Sequence, residues 1–145
     1  MSISMKRKAS AEWHGGLKDG KGTLSTDSGV LSRTPYSFST RFENGPGTNP
    51  EELIAAAHAG CFTMPLSAQL GGAGLSAESL KTTATLTMEK LEAGWAITKV
   101  HLDLTAKIPG ADKAKFDAAA AAAKAGCPVS RVLNAEITLE ARLES

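Results

Sequence analysis

The sequence predicts an α+β fold in which antiparallel strands precede and follow one long apolar helix. Two observations lead to this prediction. Residues 53–70 carry almost no charge, which is typical of a buried helix. On both sides of that segment, apolar and polar side chains alternate with the period of two expected for half-buried strands. A length of 145 residues fits a single domain over residues 1–145.

The strands predicted before the helix are short and are separated by glycine-rich turns. A weak strand pattern covers residues 3–13, and a second short run covers residues 23–26. Tyr36, Phe38 and Phe42 then alternate with polar residues, which predicts a third strand with an aromatic face. In that strand Arg41 falls on the opposite face, so we expect its side chain to point away from the aromatic rings.

A strong helix start lies just before the apolar segment. Thr48 has the capping-box spacing to Glu51, and Pro50 suits the first helical position. Asn49 has the same spacing to Glu52. The helix dipole favours negative charge in the first turn, so a role as helix-start residues is enough to explain both glutamates.

Two residues inside the apolar segment are poor helix formers. Gly60 costs about 1 kcal/mol relative to alanine in a helix interior. Pro65 has no N–H group to donate to the carbonyl of Cys61. We expect a continuous helix that is kinked near Cys61, because such local conflicts tend to fall at functional sites. The alternative is that the helix ends early.

The second half of the chain predicts two further strands, helical segments and a last strand. The pattern places strands over 80–88 and 95–108, a hairpin turn at Ala93-Gly94, an alanine-rich helix over 111–125, a short helical segment over 128–133 and a final strand over 135–143. The apolar positions change from odd to even numbers near Thr98 and Lys99. This change of parity predicts a β-bulge there.

Composition excludes several classes of function. The chain has 16 basic and 15 acidic residues, so it has no electrostatic footprint for nucleic acid and no polybasic patch for a membrane surface. The first eight residues contain no apolar signal-peptide core, and we expect no apolar run of membrane-span length. A cytoplasmic location follows as the expectation. Thiols are kept reduced there, and a disulfide is transient rather than structural.

The two cysteines are the candidate chemical groups. Cys61 stands inside the apolar helix, and Cys127 stands between Gly126, which ends one helix, and Pro128, which begins another. Two thiols on different helices suit a pair in which one attacks an oxidant and the other resolves the product. The N-cap position of Cys127 would favour its thiolate. The alternative is two inert buried thiols.

Cys61 lies in mid-helix and needs another source of activation. An arginine is suited to this role because it stays charged and can hold an oxyanion through two N–H groups. Arg41 is the candidate, and a carboxylate such as Glu51 could fix its guanidinium plane. Composition alone leaves three other arginines open: Arg33, Arg131 and Arg142.

Two other kinds of site remain as alternatives. A zinc site could use His58 and Cys61 on one helix face together with Cys127 and either His14 or His101, although nothing in the sequence fixes the remaining ligands. His58 otherwise reads as a packed or hydrogen-bonded interface residue. A non-enzymatic alternative is a redox sensor or a hydrophobic-ligand-binding protein that uses the same cysteine pair.

Four segments together resemble the OsmC/Ohr family of osmotically inducible protein C and organic hydroperoxide resistance proteins. The segments are Tyr36–Phe42, Gly47–Leu53, Ala56–Phe62 and Ala125–Ser130. His58 and the stretch over residues 23–31 look more like the OsmC branch than the Ohr branch.

The resemblance implies a thiol-dependent peroxidase that acts on organic hydroperoxides. Cys61 corresponds to the peroxidatic cysteine, Cys127 to the resolving cysteine, Arg41 to the arginine that stabilises the thiolate and the transition state, and Glu51 to the glutamate that orients Arg41. It also implies an intertwined α+β homodimer, with antiparallel sheets around long central helices and the active site at the subunit interface. An external dithiol of lipoyl or thioredoxin type would reduce the disulfide. No metal, haem or flavin is needed, and neither nucleic acid nor membrane is an expected partner.

Overall fold

The computed structural model describes residues 2–144 and divides between Leu53 and Ile54 into two compact units. The elements in chain order are β1 (Ala9–His14), β2 (Lys21–Thr26), β3 (Thr34–Tyr36), α1 (Phe38–Phe42), α2 (Pro50–Gly72), β4 (Ser79–Leu91), β5 (Gly94–Lys107), α3 (Lys113–Gly126), α4 (Pro128–Val132) and β6 (Glu136–Glu144). The α+β class is confirmed. The single domain over residues 1–145 stays a prediction.

The first unit contains an antiparallel sheet of order β1-β2-β3. Gly22 on β2 lies between Trp13 on β1 and Tyr36 on β3. The two rings meet edge to face across it with their centroids 5.5 Å apart. A Cβ atom at Gly22 would lie 2.5 Å from each ring, so this aromatic contact requires glycine at the central position.

The predicted third strand ends early, because a short helix replaces its second half. β3 stops at Tyr36, and Ser37 becomes the N-cap of α1. The Thr40 N–H donates to Ser37 Oγ at 3.3 Å, and the Ser37 N–H donates to Thr40 Oγ1 at 2.8 Å. This reciprocal pair is a capping box, which stabilises a helix start. The strand prediction was therefore wrong from residue 37 onward.

The helical turn also changes the position of Arg41. Phe38 and Phe42 are four residues apart on α1, so their rings share one face with centroids 5.1 Å apart. The guanidinium of Arg41 lies over the Phe42 ring, 5.2 Å from its centroid. The prediction that Arg41 points away from the aromatic side chains was therefore wrong.

The start of α2 follows one of the two predicted capping patterns. Pro50 is the first helical residue, and the N–H of Glu52 donates to Asn49 Oδ1 at 2.7 Å. Asn49 Nδ2 also donates to the carbonyl of Thr40 at 2.8 Å, which ties this start to α1. Asn49 and Glu52 therefore form the cap, and the Glu51 carboxylate is available for another contact.

Helix α2 runs without interruption through Pro65 to Gly72, so the prediction of a continuous helix is confirmed and the early end is excluded. Its buried residues repeat every four positions: His58, Phe62, Leu66 and Leu70. This spacing gives one buried stripe. Met64 on the same helix is 80% exposed. The prediction of a buried helix therefore holds for one face.

The expectation that no apolar run reaches membrane-span length was also wrong. By length and composition alone α2 could cross a bilayer. Leucine, isoleucine and alanine keep its hydropathy high, while its two glutamates, Glu51 and Glu52, stand at the first turn. The core helices of soluble proteins pass the same test, and Phe62, Leu66 and Leu70 of the α2 stripe belong to the hydrophobic core of the second unit.

The second unit contains a sheet of order β4-β5-β6. β4 and β5 form the predicted hairpin, with Leu91 paired to Gly94. Thr87 pairs with Lys99, whereas Met88 pairs with Ile97, so Thr98 is the extra residue. The predicted β-bulge is confirmed.

Strand β6 pairs with β5 in parallel, which corrects the prediction of purely antiparallel sheets. The chain leaves β5, passes through α3 and α4, and re-enters the sheet in the same direction, as a helical crossover requires. Alternate residues of β5 pack with α2 and α3 in one core, which includes Val100, Leu102, Leu104, Ala106, Phe116, Ala119, Ala120 and Ala123.

Candidate active site

Cys127 occupies the corner between α3 and α4. Its N–H donates to the carbonyl of Ala123 at 3.0 Å, which ends α3. Its carbonyl accepts from the N–H of Arg131 at 3.0 Å, and Pro128 stands at the first position of α4. Both backbone bonds hold the residue in place, so its side chain has a fixed direction. The corner position agrees with the prediction from Gly126 and Pro128.

Cys61 and Cys127 are brought together although 66 positions separate them in sequence. Their Sγ atoms lie 3.0 Å apart, and both cysteines are free. A disulfide needs a separation of about 2.05 Å, so the sulfurs have to approach by roughly 1 Å to bond. Cys127 is completely buried, whereas Cys61 is partly exposed. Of the pair, only Cys61 therefore keeps exposed surface.

The two thiols ionise differently. Burial raises the pKa of Cys61, and the hydrogen bond with Cys127 raises it further against the opposing effect of the Val129 N–H. Burial also raises the pKa of Cys127, but hydrogen bonds from Cys61, from the backbone and side chain of Ser130 and from the Val129 backbone outweigh it and lower the pKa overall. The thiol makes no side-chain cap of standard geometry on α4.

The proton between the sulfurs can be donated from either side. We assign it to Cys61, because the Ser130 side chain lowers the pKa of Cys127 and is not among the groups that act on Cys61. Within the second unit the surroundings therefore favour negative charge on Cys127. The predicted Cys61 thiolate has to come from a cation or from the reaction itself.

His58 lies three residues before Cys61 on α2 and is fully buried. Its Nε2 atom lies 2.6 Å from Ser130 Oγ, whereas its Nδ1 atom is buried and has no hydrogen-bond partner among the described residues. Burial lowers the pKa of this imidazole, which favours the neutral ring. The expectation of a packed and hydrogen-bonded histidine is confirmed, and a position at an interface stays a prediction.

Arg41 and Glu51 form a two-point ion pair in the first unit. Arg41 Nε donates to Glu51 Oε1 at 3.0 Å, and Arg41 Nη2 donates to Glu51 Oε2 at 3.1 Å. The Glu51 side chain is 13% exposed and that of Arg41 is 40% exposed. This fork fixes the guanidinium plane, as expected. The roles of both residues in a reaction stay predictions.

An apolar cavity adjoins Arg41 in the first unit and is called the aromatic pocket below. Its volume is about 170 Å³, and the residues that line it are Trp13, Leu17, Tyr36, Ser37, Phe38, Arg41 and Phe42. The contact of Trp13 with Tyr36 across Gly22 and the turn of α1 both shape its wall. The pocket thus combines apolar surface with one cation, which suits a ligand with an apolar body and a polar end.

The zinc alternative is not supported by the side-chain positions. Among the described residues, the cluster with metal-ligand spacing is His101, Asp103 and Glu140, which does not include the cysteines. Arg142 forms ion pairs with both carboxylates of this cluster. The carboxylates of the cluster therefore already share one guanidinium as their partner.

Comparisons with known proteins decide the family. The family model described as OsmC-like protein matches residues 43–142. The chain is 54% identical over 143 residues to Peroxiredoxin OsmC of Escherichia coli (strain K12), which covers 99% of this chain and 100% of that protein. The chain belongs to the OsmC/Ohr family.

Solved structures agree with this assignment. The organic hydroperoxide resistance protein OhrB of Bacillus subtilis is similar with a TM-score of 0.67 and 25% identity, covering 93% of this chain and 98% of that chain. An OsmC-like protein of unknown function from Vibrio cholerae reaches a TM-score of 0.77 at 18% identity, covering 95% and 99% of the two chains. The second match supports the OsmC-like fold alone. The predicted family and its OsmC branch are confirmed.

The family match covers three of the four predicted site residues. Glu51, Cys61 and Cys127 lie within residues 43–142, and Arg41 lies just outside that range but within the span of the 54% identical relative. Sequence reasoning missed Ser130. The available signal was its position three residues after Cys127, the N-cap-to-N3 spacing at which side chain and backbone commonly meet.

Proposed function

We propose that this chain is a cysteine-based peroxidase that reduces organic hydroperoxides to alcohols. The observation that carries the proposal is the partly exposed thiol of Cys61, 3.0 Å from the buried thiol of Cys127. The full-length identity of 54% to Peroxiredoxin OsmC confirms the predicted class of enzyme.

Cys61 is the proposed peroxidatic residue because an organic hydroperoxide can reach it. Its sulfur attacks the terminal oxygen of the hydroperoxide, the S–O bond forms, and the O–O bond breaks. The thiol proton of Cys61 ends on the departing alkoxide, which leaves as an alcohol. The sulfur is oxidised to a sulfenic acid and the hydroperoxide is reduced.

Cys127 is the proposed resolving residue. Its thiolate attacks the sulfenic sulfur of Cys61, the S–S bond forms, and hydroxide leaves and takes a proton from solvent as water. The short sulfur separation supports this step, because little movement is needed to reach bonding distance. Burial of Cys127 restricts its reaction partners to Cys61.

Arg41 is proposed to hold the peroxide oxygens and to stabilise negative charge on both the Cys61 sulfur and the breaking O–O bond. Its Nε and Nη2 atoms donate to Glu51, so the Nη1 edge carries no hydrogen bond among the described residues. Glu51 orients the guanidinium. The aromatic pocket beside Arg41 is proposed to receive the alkyl or aryl group of the substrate by burial of apolar surface.

A homodimer is part of the proposal. Only one stripe of α2 is buried, and its opposite face carries exposed apolar residues such as Met64. A second copy of this chain would remove that apolar surface from water. The proposed reductant is an external dithiol of lipoyl or thioredoxin type, and the proposed location is the cytoplasm, where thiols are kept reduced.

A steady-state assay tests the function. Purified chain is supplied with alkyl or aryl hydroperoxide and a dithiol, and hydroperoxide consumption is followed against time. We expect many equivalents consumed per chain, with organic hydroperoxides preferred over hydrogen peroxide. Consumption that stops near one equivalent would instead identify a sensor or a binding protein that uses the same cysteine pair.

A further inference from the structure

A line of contacts joins three side chains of the second unit. His58 Nε2 lies 2.6 Å from Ser130 Oγ, and the Ser130 side chain is one of the groups that lower the pKa of the Cys127 thiol. His58 comes from α2, whereas Ser130 is on α4 and Cys127 is its N-cap. The contact between His58 and Ser130 spans 72 positions of sequence. It therefore depends on how α2 packs against the α3–α4 corner.

The unpartnered nitrogen of His58 fixes the direction of these hydrogen bonds. Nδ1 is buried without a partner among the described residues. A buried N–H without an acceptor is rarer in proteins than an unsatisfied acceptor, so the neutral ring carries its proton on Nε2. Nε2 then donates to Ser130 Oγ. The hydroxyl hydrogen of Ser130 is left to point at the Cys127 sulfur.

We propose that Ser130 and His58 are positioning residues that hold the Cys127 sulfur as a hydrogen-bonded thiolate, so that an external dithiol attacks Cys61 and expels Cys127. This inference rests on the proposed function, because it concerns reduction of the disulfide formed in each turnover. The inference states which sulfur of the disulfide the reductant attacks. It also gives Ser130 and His58 a part in the reduction, in addition to the two cysteines and the arginine–glutamate pair.

An external dithiol reduces the Cys61–Cys127 disulfide in two exchange steps. A thiolate of the external dithiol attacks Cys61 Sγ, a mixed disulfide forms, the Cys61–Cys127 bond breaks, and Cys127 leaves as a thiolate. The second thiol of the dithiol then attacks the mixed disulfide and releases Cys61. The external dithiol is oxidised to a disulfide, and its two electrons reduce the cysteine pair. One of its protons stays on Cys61 and the other goes to solvent.

Two properties of the site favour this direction over attack on Cys127. Cys61 is partly exposed and Cys127 is completely buried, so an incoming thiol reaches only Cys61. In thiol–disulfide exchange the better-stabilised thiolate leaves faster. The hydroxyl of Ser130 stabilises the charge on Cys127, and His58 keeps that hydroxyl turned toward the sulfur. Among the described residues, Cys61 is the titratable group whose hydrogen bond lowers the pKa of Cys127.

The test uses the full chain with its disulfide formed chemically by diamide, so it does not depend on peroxidase turnover. Single-turnover reduction by dithiothreitol is timed for wild type, Ser130→Ala, Ser130→Thr and His58→Gln. Ser76→Ala is the matched control, because Ser76 is exposed in the same unit. Glutathione, a monothiol, is used separately to trap the mixed disulfide for mass spectrometry.

We expect Ser130→Ala to slow reduction about three- to tenfold, because the leaving thiolate loses one hydrogen bond from a neutral donor. Ser130→Thr should restore most of the rate, since it keeps the hydroxyl, and Ser76→Ala should match wild type. In a Cys61→Ser background, Ser130→Ala should raise the pKa of Cys127, measured by ultraviolet absorbance of the thiolate. His58→Gln keeps an N–H donor, so its rate of disulfide reduction should lie between those of wild type and Ser130→Ala.

Glutathione trapped on Cys127 in the wild-type chain would overturn the proposal. An unchanged reduction rate together with an unchanged Cys127 titration in Ser130→Ala would also overturn it. If the wild-type chain fails to turn over hydroperoxide while these results hold, the proposed function fails and the assigned direction of disulfide reduction stands.

Discussion

Arg41 and Glu51 should act as one unit in peroxide reduction, and the structure sets the size of each loss. Arg41→Met removes the whole guanidinium, which is the proposed donor to the peroxide oxygens. Loss of one well-placed donor of this kind costs about 10²-fold or more in rate. The substitution should also raise the pKa of Cys61 further, because it removes the cation that is proposed to favour the thiolate.

Glu51→Gln should cost less. The amide keeps one acceptor oxygen for a guanidinium that now has two N–H groups to satisfy, at 3.0 and 3.1 Å in the intact pair. The positive charge remains, but its plane is no longer fixed. We expect a loss of about tenfold in kcat/KM, in line with one charge-assisted hydrogen bond at a site where Glu51 is only 13% exposed.

The double variant decides whether the pair is coupled. Stopped-flow oxidation of the reduced enzyme by an aryl hydroperoxide measures the peroxide step alone, and Arg33→Met serves as a control for loss of an exposed arginine in the same unit. Once Arg41 is gone, Glu51 has nothing to orient, so the double variant should match Arg41→Met. If the rate loss of the double variant equals the product of the two single losses, this reasoning is refuted and Glu51 is only a helix-start residue.

Three further predictions follow from the site and the helix. Cys61→Ser should abolish peroxide reduction, and Cys127→Ser should react once and accumulate a sulfenic acid on Cys61; mass spectrometry that finds the oxidised adduct on Cys127 of the wild type, with Cys61 untouched, would reverse the two roles. The chain should sediment as a dimer that buries more than roughly 2,000 Å², with an unfolding midpoint that rises with protein concentration; a folded monomer at micromolar concentration would contradict this. Burial lowers the pKa of His58, so the unfolded chain binds a proton more readily and stability should fall as pH drops below about 6.5. His58→Gln should weaken this fall of the unfolding midpoint at acid pH.

The error around α1 shows how a local cap can override a strand pattern. Alternating aromatic residues at 36–42 favour a strand, but they cannot reveal how much apolar surface each face buries. Ser37 and Thr40 satisfy each other's backbone N–H groups and start a helix. The spacing Ser37-x-x-Thr40 is visible in the sequence, so a search for reciprocal caps within a predicted strand would have detected it.

The direction of β6 could not be read from its own residues. Alternation identifies a half-buried strand whichever way its neighbour runs. Direction depends on the crossover through α3 and α4. Two helical segments between consecutive strands did favour a parallel pair on topological grounds. The hairpin and the bulge at Thr98 were predictable, because a short turn and a change of parity are local features.

The exposed apolar face of α2 is a second feature that could not be predicted from the sequence. The sequence correctly predicts a long apolar helix through Pro65, because alanine, leucine and phenylalanine fill its surface. Apolar composition does not say which chain covers each face. Among the residues of α2, this chain buries only the stripe from His58 to Leu70, so the remaining apolar face must be assigned by a measurement of assembly.

The proposed roles within the cysteine pair depend on burial and on contacts between different helices, which the sequence does not show directly. Resemblance associates Cys61 and Cys127 with one reaction, and an N-cap position favours charge on Cys127. In the structure Cys127 is buried, its pKa is lowered in part by the Ser130 side chain, and Ser130 in turn contacts His58. Cys61 is therefore the accessible residue of the pair, and Cys127 is the one whose surroundings favour negative charge. This division suits the proposed roles, in which Cys61 meets the external reactants and Cys127 attacks the sulfenic acid and departs when the disulfide is reduced.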